Sequence, residues 1–373
     1  MLIYADENIP YAQEFFSPFG EVRRVRGRDI TPSVVRDADV LLVRSVTQVD
    51  RALLAQCERL RFVGSATAGT DHIDLGALAQ RGVAFACAPG ANAQSVVEYV
   101  LSSLLVLAER RGWTLQERRV GIVGVGQIGG RLAGALSALG VGVLLCDPVR
   151  AAAEPAFAHR PFAELLREAD VLTFHVPLVR GGPFPTFHML AAEQLDALKP
   201  DCAVVNASRG AVVCNASLLA EAARSSPRPR ALVLDVWEGE PDVRLALLPY
   251  LELATAHIAG YSLEAKARGT EVLYRRFCAW TGAEPRFAVG DFLPPPAFAE
   301  LRLGGGFGPS DLPALVRLLY DVRRDDALFR NHVGREGFDW LRSSYPPRRE
   351  FGALRVTGPG VPDWLRALGF GGG

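Results

Sequence analysis

Residues 119–140 read RVGIVGVGQIGGRLAGALSALG, an apolar run followed by Gly124-x-Gly126-x-x-Gly129 and then a helical pattern. In such a stretch the first glycine permits a tight turn, the second lets backbone approach a pyrophosphate, and the third lets helix pack on strand. The backbone N–H groups of the helix N-terminus then point at the anion. Glycine-rich turns are common, so the spacing needs context. The next apolar run, VGVLLCD, supplies it by ending on Asp147, eighteen residues after Gly129. A carboxylate at that distance takes the ribose hydroxyls of NAD and repels the 2′-phosphate of NADP. The stretch predicts an NAD site lined by Gly124, Gly126, Gln127, Ile128, Gly129 and Asp147, with the nearby Arg150 keeping NADP in view.

Working outward, VLTFHVP, CAVVNAS, ALVLDVW and LELATAHIAG are further continuous apolar runs. Runs without alternation fit strands covered by helices on both faces, and with the first two they make a six-stranded, doubly wound parallel sheet. Upstream, LIYAD, VLLVRS, RFVGSATAG and VAFACAPG alternate with helical patterns, which predicts βα units on a second parallel sheet. The segment 262–282 has helical periodicity and is expected to cross back to that first sheet. Three successive prolines, Pro294 to Pro296, mark a boundary before a C-terminal segment of mixed pattern.

Composition narrows the function. A chain of 373 residues that is 49% hydrophobic suggests two or three domains with sizeable cores. Lys+Arg and Asp+Glu are both 41, which argues against a nucleic-acid or membrane-surface binder. The six cysteines are scattered without a C-x-x-C pair and read as free thiols of a cytoplasmic protein. The start of the chain lacks a signal pattern, and the long apolar helix candidate at 93–112 is interrupted by Glu98, Tyr99, Ser102 and Ser103, so no membrane span is expected. No H-x-x-x-H, H-E-x-x-H or clustered Cys/His pattern points to a metal.

A nicotinamide site needs a group to manage the proton of a C–OH, and histidine titrates near neutrality. A carboxylate on its other ring nitrogen fixes the tautomer, and a guanidinium holds a substrate carboxylate. All three occur at the ends of successive apolar runs: Arg209 in NASRG, Glu240 in DVWEGEP, and His257, seventeen positions later, in HIAGY. Strand carboxyl ends are where open α/β sheets bind ligands. Among the other histidines, His175 reads as cofactor contact or packing and His72 as shaping a loop, while His159, His188 and His332 read as structural or surface residues. Arg44, Ser45 and Thr47 form either an anion cradle at a strand end or an ordinary polar loop; Arg348 and Arg349 either reach a substrate anion or form surface ion pairs.

With GIVGVGQIGG, NASRG, DVWEGEP and HIAGY in one chain, the sequence resembles the NAD-dependent D-2-hydroxyacid dehydrogenase superfamily. Further markers, from ADENIPY through FVGSATAGTDHID and HVPLVRGGPFPTFH to YDVRRDD, extend the resemblance over almost the whole chain. It implies an α/β fold in which a Rossmann-type doubly wound parallel sheet is inserted in a flavodoxin-like α/β catalytic domain, plus a small α+β C-terminal dimerisation domain. The expected boundaries are 1–92 with 261–288, 93–260, and 289–373. It implies catalysis by Arg209, Glu240 and His257 on a small phosphorylated 2-hydroxy acid bound by Ser45, Thr67 and Tyr261, in a homodimer; Arg44 joins these substrate contacts from the strand-end cradle. By the same matching, Val176, Ala207, Ser208, Arg209, Asp235 and Gly260 join Asp147 against NAD; position 176 is often Thr in relatives, so a hydroxyl is lost there. A phosphoglycerate-type dehydrogenase and an NAD-sensing binding protein are the alternative readings.

Overall fold

The computed structural model describes residues 1–224 and 230–372. These form two compact units, one of Met1–Asn92 with Ser262–Pro295 and one of Ala93–Tyr261 with Pro296–Gly373.

The first unit is built on β1 (Leu2–Asp6), β2 (Glu21–Val25), β3 (Val40–Val43), β4 (Phe62–Ser65) and β5 (Ala84–Cys87) in the order β2-β1-β3-β4-β5. Every pair is parallel, which is the flavodoxin-like order. Of the four apolar strands expected from the sequence, β1, β3 and β4 lie in the middle and β5 forms one edge. The edge strand β2, EVRRV, has no such signature: it is placed by pairing with β1 in the register Leu2↔Glu21 to Asp6↔Val25, and only Val22 and Val25 pack against the apolar clusters. The helix Leu263–Thr281 returns to this unit as expected. Ser262 caps it by accepting the Ala265 N–H at 2.9 Å, and Gly282 in the left-handed region ends it. Its Tyr274 and Phe277 pack on Phe15, Phe16 and Phe62 at ring separations of 5.0–6.1 Å.

The second unit carries β6 (Arg119–Val123), β7 (Gly142–Cys146), β8 (Val171–Phe174), β9 (Ala203–Asn206), β10 (Leu232–Leu234) and β11 (Leu253–Ala254). They run in parallel in the order β7-β6-β8-β9-β10-β11. The order reverses between β6 and β8, the switch point where open α/β sheets hold ligands beyond the strand carboxyl ends. The helix Ala93–Arg111 is buried from Ser95 to Leu107. Among the described residues no helix is long and apolar enough to cross a membrane.

Of the C-terminal segment expected from residue 289, residues 289–295 group with the first unit and 296–372 with the second. The reason is hydrogen bonding at the sheet edge. β11 would otherwise expose its backbone, but Asp326 Oδ1 accepts the Ala254 N–H at 2.8 Å. Arg330 from the same helix, Val322–His332, donates to Leu248 O at 2.9 Å and Leu251 O at 2.7 Å. The segment also carries the small sheet β12 (Glu300–Arg302), β13 (Arg355–Thr357) and β14 (Gly371–Gly372).

Arg348 lies inside the second unit and not in an ion pair at the surface. It is 3% exposed and donates through Nη2 to Ser95 O at 2.8 Å and Ala259 O at 2.6 Å. Beside it Glu98, also buried, accepts the Phe351 N–H at 2.8 Å. Burial first, and then the charge of Glu350, push the Glu98 carboxyl up to about 8 against the lowering effect of Arg348. A carboxyl whose folded value lies above its unfolded one stabilises most at low pH, and the contribution fades as pH rises toward the folded value. Glu98→Gln keeps an acceptor for Phe351 and removes the titration. It is expected to raise the thermal midpoint at about pH 8.5 and leave it near the parent value at about pH 4; a parallel pH trend in the two proteins would contradict this assignment.

Candidate active site at the strand ends

The turn after β6 shows which glycines the fold itself requires. Gly124 has φ 87°, and a Cβ there would sit 2.5 Å from His175 O. A Cβ on Gly129 would run into the Gly124 carbonyl. Gly126 is different: a Cβ there meets nothing within 4 Å, and the residue is exposed at the start of the helix Gln127–Ala138. Its bareness matters only to something that approaches from outside, which fits a pyrophosphate at a helix N-terminus. Gln127 is exposed and Ile128 half-buried beside it.

Asp147 is held in place at the end of β7. Its Oδ2 accepts the Val125 N–H and its Oδ1 the Arg150 N–H, both at 2.9 Å, and its own N–H donates to His159 Nδ1 at 3.1 Å. Each oxygen keeps lone-pair capacity for a ribose hydroxyl. Arg150 is engaged elsewhere, with Glu154 at 2.9 Å, Val125 O at 3.1 Å and the Phe157 ring. That arrangement fits NAD and offers no ready cation for a 2′-phosphate. Val176 packs its methyl group under the Gly124 turn. Next to it, burial pushes His175 down to about 3, so its imidazole is neutral and pairs with Thr173 Oγ1 at 3.0 Å.

The loops after β9, β10 and β11 meet in the same unit. Asn206 organises NASRG by accepting the Ser208 N–H at 3.1 Å and donating to Arg209 O at 3.0 Å. Ala207 and Ser208 are buried in this turn, and Arg209 donates through Nη1 to Ser208 O at 2.9 Å. Gly210 lies so close to the Trp237 carbonyl that no side chain fits. Trp237, 2% exposed, braces two loops at once. Its backbone N–H donates to Glu240 Oε1 at 2.8 Å and its indole N–H to Thr255 O at 2.9 Å.

Glu240 Oε2 lies 2.7 Å from His257 Nδ1. Burial raises the Glu240 carboxyl; the charge and hydrogen bond of His257, the Trp237 N–H and the charge of Arg342 lower it, and together they hold it below the usual range. The carboxylate therefore accepts from Nδ1, which leaves Nε2 to face a ligand. His257 takes a left-handed backbone, φ 56°, which a non-glycine residue adopts at a cost and only where its surroundings enforce it. Asp235 enforces it: its carbonyl accepts the His257 N–H at 2.7 Å, and its carboxylate accepts the Ile258 and Ala259 N–H groups at 2.8 and 3.0 Å. Expected against NAD, this carboxylate is 1% exposed and engaged inside the protein. Gly260 and Tyr261 complete the turn, closed by the Tyr261 N–H on Ile258 O at 2.8 Å.

Arg44, Ser45 and Thr67 belong to the first unit, after the neighbouring strands β3 and β4. Ser45 is exposed and Arg44 half-buried. Thr67 joins a chain with Ser65 Oγ at 2.7 Å and on to His72 Nε2 at 2.9 Å. Thr47 does not join a cradle, because its hydroxyl is buried and donates to Gly27 O at 2.8 Å. The sequence also gave no sign that His188, φ 50°, pairs with Glu238 at 2.5 Å near Cys214. Glu238 is held there by the Asn215 N–H at 2.7 Å. Trp237, though inside DVWEGEP, and Arg342 were missed as well, since what each does depends on tertiary contacts.

Comparison with known proteins is consistent with this geometry. Residues 103–259 match the family model for the D-isomer specific 2-hydroxyacid dehydrogenase, NAD binding domain, and residues 292–369 match a domain of unknown function. An erythronate-4-phosphate dehydrogenase of Cronobacter sakazakii is 51% identical over 357 residues, 95% of this chain and 94% of that protein. One from Salmonella typhimurium is 50% identical over the same shares. Among solved structures, D-lactate dehydrogenase from Aquifex aeolicus, complexed with NAD and lactic acid, has a TM-score of 0.61 at 23% identity, covering 76% of this chain and 96% of that one. The NAD-bound 3-phosphoglycerate dehydrogenase of Entamoeba histolytica scores 0.63 at 20% identity, covering 76% and 95%. These two likenesses are of fold.

The glycine turn yields a contrast between two neighbouring substitutions. Gly126→Ala is expected to weaken NADH binding about tenfold, or about 1.4 kcal/mol, with an unchanged thermal midpoint. Gly124→Ala is expected to lower the midpoint by several degrees. Cofactor titration by fluorescence beside thermal melts checks both, and parent affinity in Gly126→Ala would remove the pyrophosphate from this turn.

Proposed function

The chain belongs to the erythronate-4-phosphate dehydrogenase family of D-2-hydroxyacid dehydrogenases, and from that premise we propose that it oxidises 4-phospho-D-erythronate at C2 with NAD. The product is 2-oxo-3-hydroxy-4-phosphobutanoate, an intermediate on the way to pyridoxal 5′-phosphate. The observation that carries the proposal is the His257–Glu240 pair at 2.7 Å, set at the carboxyl end of the sheet that bears the glycine turn.

In this reading the Arg209 guanidinium holds the substrate carboxylate through paired hydrogen bonds and polarises the C2 oxygen. His257 Nε2 takes the C2 hydroxyl proton while the hydrogen on C2 departs with its electron pair, so that the C–O bond becomes C=O. Bound NAD supplies the acceptor for that hydride. Glu240, kept ionised by its partners, stabilises the imidazolium until its proton passes to water. Arg44, Ser45, Thr67 and Tyr261 contact substrate, and Asp147, Val176, Ala207 to Arg209, Asp235 and Gly260 serve the cofactor. For Asp235 the support is indirect, through the turn it fixes.

The proposal includes a homodimer formed through the C-terminal segment, supported by Leu318 and Trp340, which are 37% and 40% exposed there. It also includes a cytoplasmic setting, supported by six cysteines that are all free thiols.

The test is NADH formation from NAD with 4-phosphoerythronate, 3-phosphoglycerate and unphosphorylated erythronate, with a 2-oxo acid present to reoxidise retained cofactor. Selective turnover of 4-phosphoerythronate is expected. Preference for 3-phosphoglycerate, or NAD binding with no turnover, would overturn the reading. His257→Ala is expected to reduce kcat by about 10²–10⁴-fold and to leave NAD affinity within about twofold; unchanged kcat would remove His257 from proton transfer.

A further inference from the structure

We propose that Arg342, with Tyr261, forms the subsite that recognises the distal phosphate of the substrate. The inference rests on the reading just given, because only a substrate with an anion at each end needs a second cation.

The placement begins with the turn that carries His257. Tyr261 lies four residues further on, at the other end of the turn closed on Ile258 O, so histidine and tyrosine flank one short loop. On C2 of the substrate the carboxylate lies to one side and the phosphate, two carbons along, to the other. If Arg209 takes the first, the second is left toward the tyrosine side of the loop. The Arg342 guanidinium carbon lies 5.7 Å from the centre of the Tyr261 ring, and Tyr345 packs edge-on to the same ring at 5.9 Å and 82°.

The chemistry of Arg342 fits an anion that arrives. Its Nε is buried without a hydrogen-bond partner, and an unmade bond to a buried charged donor is costly. Its charge acts on Glu240 from a distance, but that carboxylate is committed to His257 and Trp237. The guanidinium itself is kept charged: burial lowers its pKa, while Tyr261, Glu240 and Asp339 raise it and prevail. A charged fork of donors with a spare buried N–H matches phosphate, which takes paired hydrogen bonds from arginine.

The neighbouring arginines are otherwise engaged. Arg348 holds Ser95 and Ala259 through Nη2; its Nε and Nη1 are buried without a hydrogen-bond partner, but its guanidinium carbon lies 3.9 Å from the centre of the Tyr320 ring, and Arg324 pairs with Asp325 at 3.0 Å. Arg342 is also fixed from behind. It lies in the helix Phe338–Ser343, whose Phe338 packs edge-on against Phe329 at 6.3 Å, and Phe329 stacks on Trp237 at 5.1 Å. The residue that recognises one end of the substrate is thus packed onto the loop that holds the acid at the other.

The experiment compares kcat/KM for 4-phosphoerythronate and for unphosphorylated erythronate in the parent, Arg342→Gln, Arg342→Lys and Arg44→Gln. Parent activity on 4-phosphoerythronate tests the proposed function by itself. For the subsite, Arg342→Gln is expected to lose about 100-fold or more on the phosphorylated acid and less than about threefold on the other. Inhibition by inorganic phosphate should weaken in parallel, and lysine should restore part of the preference. NADH affinity and the thermal midpoint report whether the variants fold. Equal losses on both acids, or collapse of the preference in Arg44→Gln and not in Arg342→Gln, would overturn the assignment.

Discussion

Much of the second unit turns on one buried carboxylate. Asp235 is 1% exposed, yet it accepts hydrogen bonds from the Thr255 hydroxyl at 2.7 Å and from the Ile258 and Ala259 N–H groups. Burial raises its pKa; the charge of His257 and those donors lower it, and burial prevails. A carboxyl inside a protein is tolerated only when its lone pairs are met, and here they are met by one short stretch of backbone. The same stretch must then pass through a left-handed histidine. The cost of a buried acid and the cost of strain at His257 are met by a single loop conformation, which aims the imidazole at Glu240.

Trp237 ties that loop to its neighbour. Donating to Glu240 with its backbone and to Thr255 with its indole, it couples the acid and the histidine through a rigid, buried ring. Phe329 of the C-terminal segment stacks on the ring's other side. The C-terminal segment is therefore part of the scaffold of the site, besides whatever it contributes at an interface. Asp326 and Arg330 at the edge strand, and Arg348 on Ala259 O, fasten it at three further points.

What the sequence revealed was what depends on short covalent spacing. The glycine turn, Asp147 and the continuous apolar strands are local patterns, and the Arg209, Glu240 and His257 loops could be matched because chemistry demands all three. The edge strand β2 escaped because its Glu and Arg side chains follow solvent and its pairing is long-range. Thr47 could be read from the sequence either as a cradle donor or as an ordinary loop residue, and its direction is set by Gly27 across the unit. Arg348 and Arg342 stand six positions apart in one basic, aromatic run. Nothing in the run tells which is sealed between backbone carbonyls and the Tyr320 ring and which lies beside Tyr261; that follows from tertiary packing alone.

The most direct measurement is the tautomer of His257 by ¹⁵N NMR on histidine-labelled protein, with His257→Ala for assignment and Asp235→Asn for comparison. The account predicts that neutral His257 carries its proton on Nδ1, bonded to Glu240, with Nε2 bare, and that Asp235→Asn loses this preference while still binding NADH. A neutral His257 protonated on Nε2, or the same Nδ1 signal in Asp235→Asn, would contradict it.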